Sequence, residues 1–134
     1  MAKKEARGEA QTELLFRALA DRTRLRLLNL MAAGEVCVCF FVEVLGESQP
    51  KISRHLAYLR RAGVVAARRE GKWMHYRVAT PVDPHAARVF AEVLAWLGEE
   101  QGMRKDRARM ASICCATSLP VRLQGAPRPA ALNP

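Results

Sequence analysis

The stretch "SQPKISRHLAYLRRAGVVAARREGKWMHYRV", residues 48–78, decides the fold. Ser48 is a typical helix N-cap, and Pro50 suits the first helical turn, where its missing N–H is not needed. The apolar residues of one stripe then recur at helical spacing, at Ile52, Leu56 and Leu59. Basic residues occupy the other face. The stretch therefore predicts a helix up to Gly63 with a core face and a basic outer face.

Two β-prone runs follow this helix and meet at Glu70-Gly71, which predicts a β-hairpin. The tip of the hairpin carries the cations Arg68, Arg69 and Lys72. A short apolar helix is predicted just before residue 48, from about Val36 to Leu45, and it ends at Gly46. Two helices joined by a tight turn and followed by a basic hairpin predict a winged helix-turn-helix, with the basic helix entering a major groove.

The charge of the chain supports this prediction. The net charge is +9, and the segment from Lys51 to Arg77 holds eight Lys or Arg residues against one Glu. A concentrated basic stretch is typical of a polyanion binder, because each neutralised phosphate releases counterions. The alternative is a solvated basic face that serves only solubility.

The rest of the chain completes a single domain that is mainly α-helical, with a β-hairpin wing. Helical spacing predicts one helix around Leu14 to Leu19 and another from an N-cap at Asp21 to Gly34. A last helix after Pro84 has a wide apolar stripe, which favours a homodimer through terminal helices. The predicted boundaries are a disordered N-terminus at 1–10, the DNA-binding and dimerisation domain at 11–102, a C-terminal extension at 103–118 and a disordered tail at 119–134.

Several classes of protein are disfavoured. No apolar run approaches the roughly 20 residues that span a bilayer, and the N-terminus lacks the apolar region of a signal peptide, so we expect a cytoplasmic protein without membrane contact. We find no Gly-rich phosphate loop, nucleophile elbow or carboxylate pair, so neither an enzyme nor an organic cofactor is expected. Four cysteines in a reducing compartment are thiols or metal ligands before they are disulfides.

The segment from Leu19 to Val78 closely resembles the ArsR/SmtB metalloregulatory repressors, especially their arsenic-responsive members. The likeness covers roughly half of the chain and includes several separate motifs. It implies a homodimeric winged helix-turn-helix repressor of a resistance operon, which leaves double-stranded operator DNA when a metal or metalloid binds.

Arsenic sensors of this family carry ELCVCDLC at the start of the third helix, and this chain has "EVCVCFFV", residues 35–42. Cys37 and Cys39 match the first two thiols, whereas Val42 stands at the third. The resemblance thus implies As(III) or Sb(III) as inducer, since these soft ions favour thiolates. Cys114 and Cys115 are the candidates to complete the ligand set, because relatives that sense cadmium and lead add cysteines from a chain terminus.

Alternatives stay open for these cysteines. A four-thiolate site would bind cadmium or lead, a thiol-redox response would give the same derepression, and a methylated trivalent arsenical would need only two thiolates. Plain core packing is the simplest alternative, and it would leave an architectural DNA binder without a ligand. Asp83 and His85 resemble half of a zinc site of the family, but no later histidine exists to complete four ligands.

For DNA binding, the sequence predicts one group of residues on the basic helix and one on the wing. The helix residues that read or flank the major groove are Gln49, Lys51, Ser53, Arg54 and His55, although a local hydrogen bond is an equal alternative for His55. The wing residues Arg68, Arg69 and Lys72 would hold phosphates.

Overall fold

The computed structural model describes residues 2–114, 119–120 and 123–129, with side chains from Gln11 onward. Six helices and three strands lie within residues 2–114 of this described part. In chain order they are α1 (Ala2–Leu19), α2 (Arg22–Met31), β1 (Val36–Cys37), α3 (Val38–Leu45), α4 (Gln49–Arg61), β2 (Val65–Glu70), β3 (Trp73–Val78), α5 (Pro84–Glu99) and α6 (Gln101–Cys114).

The helix boundaries follow the capping residues. The Asp21 carboxylate accepts a hydrogen bond of 3.0 Å from the backbone N–H of Arg24, and Ser48 Oγ accepts one of 3.4 Å from Lys51 N–H. Gly46 ends α3 in the left-handed conformation, with φ at 68°, where a Cβ would be strained. The predicted starts of α2 and α4 and the end of α3 are therefore confirmed.

The three strands form one antiparallel sheet in the order β1-β3-β2. Strands β2 and β3 make the predicted hairpin, with Glu70 opposite Trp73 at its tip. Strand β1 corrects the prediction of a helix from Val36, because Val36 pairs with Tyr76 and Cys37 pairs with His75. Val36 and Cys37 are extended since the free edge of β3 offers them backbone hydrogen bonds, and the helix starts only at Val38.

The helix-turn-helix packs on a buried core. Ile52, Leu56 and Leu59 of α4 are fully buried, as the apolar stripe predicts, and Phe40 and Phe41 of α3 are buried with them. Burial of side chains of this size stabilises a fold by about 1.5–3 kcal/mol each. The core thereby holds α4 with its basic side outward.

Helix α6 was not predicted from the sequence. It packs across α2, with Met103, Met110 and Cys114 buried. The Arg26 guanidinium donates to both carboxylate oxygens of Asp106, at 2.7 and 2.9 Å. The helix has few apolar residues, so its pattern resembles an extension. In the described structure this ion pair, the three buried side chains and hydrogen bonds such as that from Asn29 Nδ2 to the Met103 carbonyl, at 3.0 Å, attach it to the domain.

Two described segments lie where the sequence predicts disorder. Helix α1 starts at Ala2, and residues 123–129 contact the core, with Leu123 and Ala126 buried. The Arg128 guanidinium donates a hydrogen bond of 2.6 Å to the carbonyl of Cys114. Proline and arginine content predicts disorder here, whereas Leu123 and Ala126 supply apolar contacts that composition does not reveal.

The apolar stripe of α5 divides between two environments. Phe90 and Leu97 are buried in the chain's own core, whereas Val89 and Trp96 are exposed, by 40% and 69%. Phe16 of α1 is also exposed, by 55%, and it lines with Val89 a surface cavity of about 870 Å³. In the described part of the chain, no helix is long and apolar enough to cross a membrane.

Candidate DNA interface and thiol site

The outer face of α4 presents four of the five helix residues that were predicted to meet DNA. Gln49 and Arg54 are exposed, and Lys51 and Ser53 are partly exposed. Lys51 Nζ lies 3.0 Å from Glu47 Oε2 in a solvent-facing pair, which a phosphate can displace because such pairs contribute little stability. The structure thus brings these four side chains together on one accessible surface.

His55 lies apart from this surface, in a polar contact between α4 and α2. Its Nδ1 is 3.3 Å from Arg24 Nη1 and 3.8 Å from Asp21 Oδ2. Burial lowers the pKa of His55, against the opposing effect of Asp21, so the ring is neutral at pH 7. This geometry matches the local hydrogen bond that the sequence left as an alternative.

Two further cations, Arg24 and Arg61, lie near the outer face of α4, and the motif analysis missed Arg24. Their guanidinium carbons lie 4.3 and 4.9 Å from the centroid of the Tyr58 ring on α4. Cation–π contacts of this kind hold a guanidinium in place without neutralising its charge. Arg24 is distant from α4 in the sequence, so only the packing of α2 on α4 reveals it.

The wing carries its cations in two different settings. Arg69 is exposed, and its Nε donates to the carbonyl of Gly71 at 3.2 Å. Lys72 is exposed above the Trp73 ring, with Nζ 4.9 Å from its centroid. Both charges therefore project from the tip of the hairpin without a carboxylate partner among the described residues.

Arg68 is instead held by carboxylates. Its Nη2 and Nε donate to Glu35 at 2.6 and 3.2 Å, and its Nη1 donates to Glu70 at 3.3 Å. The guanidinium lowers the pKa of the Glu35 carboxyl below its usual range. Glu35 directly precedes β1, so this contact, which sequence reasoning missed, joins the wing to the segment that carries the thiols.

Cys37 and Cys39 form a close thiol pair. Cys37 is the last residue of β1 and Cys39 lies in the first turn of α3, and their sulfur atoms are 3.2 Å apart. In a continuous helix, residues two apart point about 200° away from each other. The extended backbone of Cys37, with φ −70° and ψ 140°, removes this obstacle. The β1 correction thus explains how the two thiols meet.

The two thiols of this pair have pKa values that are shifted in opposite directions. The Cys39 thiol donates to the Cys37 sulfur, and this hydrogen bond lowers the pKa of Cys37 to about 6. The same contact raises the pKa of Cys39. Cys37 is therefore mainly a thiolate at pH 7, the form that binds soft metals.

The other predicted ligands do not join this pair in the described structure. Cys114 is buried at the end of α6, and Cys115 lies outside the described residues. Among the residues that are described, no three His, Cys, Asp or Glu side chains gather closely enough to hold a metal ion. Val42, which stands at the family's third thiol, is half-buried one turn after Cys39.

Asp83 and His85 have a structural role at the start of α5. The Asp83 carboxylate accepts hydrogen bonds from the backbone N–H groups of His85 and Ala86, at 2.8 and 3.0 Å. His85 Nδ1 lies 2.8 Å from Arg88 Nη2 of the same helix. These contacts place His85 in the first turn of α5 as a helix-start residue.

The arrangement of α3, α4 and the β2–β3 hairpin defines a winged helix-turn-helix protein. Residues 21–67 match the family described as "Bacterial regulatory protein, arsR family". The chain is 42% identical over 103 residues to the arsenical resistance operon repressor of Escherichia coli, a match that covers 76% of this chain and 86% of that relative. The chain belongs to the arsR family of bacterial regulatory proteins.

Two further likenesses refine the comparison. The arsenic resistance transcriptional regulator ArsR1 of Pseudomonas putida is 53% identical over 66 residues, which cover 48% of this chain and 52% of that protein. A homodimeric winged helix-turn-helix DNA-binding domain from Mycobacterium bovis, a possible ArsR-family regulator, superposes with a TM-score of 0.59 at 33% identity. That match covers 74% of this chain and 89% of the other, so the predicted fold and family are confirmed.

Proposed function

We propose that this protein is an arsenic-responsive DNA-binding repressor of an arsenical resistance operon, acting in the cytoplasm as a homodimer. Trivalent arsenic or antimony binds Cys37 and Cys39, and the dimer then leaves its operator. The observation that carries the proposal is the thiol pair, whose sulfurs lie 3.2 Å apart at the start of the helix that precedes α4. The names of two relatives, at 42% and 53% identity, support arsenic as the inducer.

The pair suits a soft thiophilic ion. A bond from sulfur to a metal such as zinc is about 2.3 Å long, so two sulfurs on one centre lie within about 4.6 Å of each other. The separation of 3.2 Å meets this limit without movement of the backbone. Thiolate is also the ligand that soft ions select over imidazole or carboxylate.

The position of the pair supports a mechanism for DNA release. Cys39 lies in the first turn of α3, which leads to α4 through the short turn at Gly46, and Cys37 pairs with His75 of the wing strand β3. A bound ion replaces the Cys39–Cys37 hydrogen bond with two covalent contacts, so it acts on both DNA-facing elements. The inducer must bind the DNA-free arrangement more tightly, by typically 1–3 kcal/mol or more, to shift the equilibrium.

The residues that we propose as DNA contacts are those whose side chains are exposed or partly exposed on α4 and on the wing tip. Arg54 and Gln49 face outward to read base edges, with Lys51 and Ser53 on the flank of the helix. Arg69 and Lys72 hold phosphates from the wing tip. Arg68 and His55, which the sequence also places at DNA, have protein partners here, and we give them only a supporting role.

The dimer that we propose uses α1 and α5. Exposed Phe16, Val89 and Trp96 form an apolar surface of the kind that marks protein–protein interfaces. The Mycobacterium bovis structure, a homodimer, supports this assembly. Two copies of α4 would then address a palindromic operator.

Cys114 and Cys115 are the candidates for a third thiolate ligand, as the alternative to binding by Cys37 and Cys39 alone. Cys114 belongs to α6, which packs against α3, so a rearrangement of the end of α6 is required to bring it to the pair. A double Cys114→Ser/Cys115→Ser variant tests this role, because it leaves Cys37 and Cys39 intact.

The experiment that tests the function is fluorescence anisotropy of the reduced protein on its promoter duplex. The duplex complex is titrated with arsenite, antimonite, methylarsenite, cadmium, lead and zinc, with a Cys37→Ser/Cys39→Ser variant as control. Release by arsenic or antimony species, lost in the control, supports the proposal. Release by cadmium or lead alone would assign the protein to a four-thiolate sensor, and release by oxidant alone to a redox switch.

A further inference from the structure

Beside Cys37, the inner end of the wing encloses a pocket of about 330 Å³. Cys37 and His75 line it from the sheet, and Arg68 lines it from β2. Pro127, Arg128 and Pro129 form a further part of its wall. The pocket therefore lies beside Cys37 of the thiol pair and is lined partly by the C-terminal segment.

His75 has an unsatisfied group at this pocket. The residue is 5% exposed, and its Nε2 has no hydrogen-bond partner among the described residues. Glu70 Oε1 lies 3.5 Å from Nε2, and Glu35 Oε1 lies 3.9 Å from Nδ1, so each carboxylate can pair with a protonated ring, but neither contact is a hydrogen bond. Buried polar groups in folded proteins almost always have a partner, so an orphaned ring nitrogen indicates a missing one.

His75 and Cys37 share one face of the sheet. They are direct partners in the β1–β3 register, and residues directly opposite in an antiparallel pair place their Cβ atoms about 4.5–5.5 Å apart on the same side. A group bonded to an atom on the Cys37 sulfur is therefore within reach of the His75 ring.

We infer that this pocket receives the third substituent of the bound trivalent metalloid, and that His75 Nε2 hydrogen-bonds this substituent when it is a hydroxyl. The inference rests on the proposed function and adds the identity of the bound species. The site would hold a dithiolate metalloid that keeps one non-protein group, rather than a three-cysteine complex.

The chemistry is a ligand exchange without oxidation or reduction. Arsenous acid carries three hydroxyl groups, and the thiols of Cys37 and Cys39 each replace one of them. Two arsenic–oxygen bonds break, two arsenic–sulfur bonds form, and both displaced hydroxyls leave as water. One takes the proton of the Cys39 thiol, and the other takes a proton from solvent when Cys37 reacts as the thiolate. The remaining hydroxyl accepts from Nε2–H or donates to the unprotonated nitrogen, according to the tautomer.

Methylarsenous acid provides the matched probe. It carries two hydroxyls and one methyl group, so both hydroxyls are lost to Cys37 and Cys39 and the methyl group occupies the pocket. A methyl group makes no hydrogen bond to His75. The two probes thus use the same thiols and differ only in the contact that the inference assigns to His75.

The test is equilibrium dialysis of the DNA-free dimer with arsenite and with methylarsenite, for the wild type, His75→Leu and His75→Gln. Loss of one buried hydrogen bond lowers affinity by roughly tenfold. We expect His75→Leu to weaken arsenite binding by about this factor and to leave methylarsenite binding within about twofold. His75→Gln keeps an amide near the position of Nε2, so it should recover most of the arsenite affinity.

Equal weakening of both probes by His75→Leu, or of neither, overturns the inference. Should His75→Leu fail to fold, the Cys114→Ser/Cys115→Ser variant decides: a tenfold or larger loss for arsenite alone would identify a protein thiolate as the third ligand and overturn it, and unchanged arsenite binding supports it. Failure of the proposed function is a separate result, in which the wild type binds neither probe.

Discussion

Arg68 and Arg69 are neighbours in the chain, yet they belong to two different regions of the wing. Arg68 lies on the thiol-side face, which we define by Cys37, Arg68, Glu70 and His75, and it is held by Glu35. Arg69 and Lys72 form the wing tip and project without a carboxylate partner in the described structure. Successive strand residues point to opposite faces. The function that we propose therefore gives this basic run two purposes: one cation organises the inducer site, and the others face DNA.

The largest effect should come from Cys37→Ser on the thiol-side face. A single remaining thiolate loses the chelate advantage, so the arsenite concentration for half-release should rise on the order of a hundredfold. Anisotropy on the promoter duplex measures this shift. Operator affinity without metalloid should stay within about twofold. A variant that releases DNA at the wild-type concentration would place the inducer site elsewhere.

Arg54→Ala should have the next largest effect, on operator recognition from α4. Loss of a base-reading side chain costs about 1–3 kcal/mol at particular base pairs. The measurement is anisotropy against a set of operator substitutions. Arg104→Ala removes the same charge from an exposed position on α6 and serves as control. Equal losses for the two variants would show that Arg54 supplies only charge.

An effect of intermediate size is expected on the titration of the Cys37 thiol when its hydrogen-bond donor is removed. Because its pKa is about 6, the thiolate is present at pH 7 and is lost as the pH falls through 6. Ultraviolet thiolate absorbance of the Cys114→Ser/Cys115→Ser protein should follow this titration. Cys39→Ala removes the hydrogen-bond donor and should move the midpoint upward by about a unit or more. A midpoint that does not move would remove Cys39 as the cause.

The smallest predicted effect is on the salt dependence of operator binding, and it should differ between variants of Arg68 and Arg69. Each phosphate contact contributes about 0.9 to the slope of log K against log salt. Arg69→Ala should lower the slope of operator binding by about this amount, whereas Arg68→Ala should leave it nearly unchanged because Glu35 and Glu70 already neutralise Arg68. Anisotropy at several salt concentrations gives both slopes. Equal decreases would mean that Arg68 leaves Glu35 on binding DNA.

Much of the DNA-binding half could be predicted from the sequence. Its features are local: the Ser48 cap, the apolar stripe of α4 and the turn at Gly71 each act within a few residues. Helix α6 and the strand β1 could not be predicted in the same way. Helix α6 depends on the distant partner Arg26, and β1 depends on the free edge of β3.

The candidate site also combines features that the sequence predicts with features that depend on residues distant in the chain. Cys37 and Cys39 were identified from a motif, but residues two apart in a continuous helix point away from each other. The pairing of Cys37 with His75 keeps Cys37 out of the helix and brings the two sulfurs together. Glu35, Arg24 and the orphaned nitrogen of His75 carry no motif. Their roles depend on which residues face them across the fold.

By itself, the sequence determined the winged helix-turn-helix, its basic surface and the two thiols, since periodicity, capping and residue chemistry are properties of short segments. The tertiary structure decided which cations remain available to DNA, how the thiols meet, and that His75 lies beside them without a hydrogen-bond partner. The physical reason is that strand pairing and ion pairing join residues far apart in the chain, as Glu35 and Arg68 show.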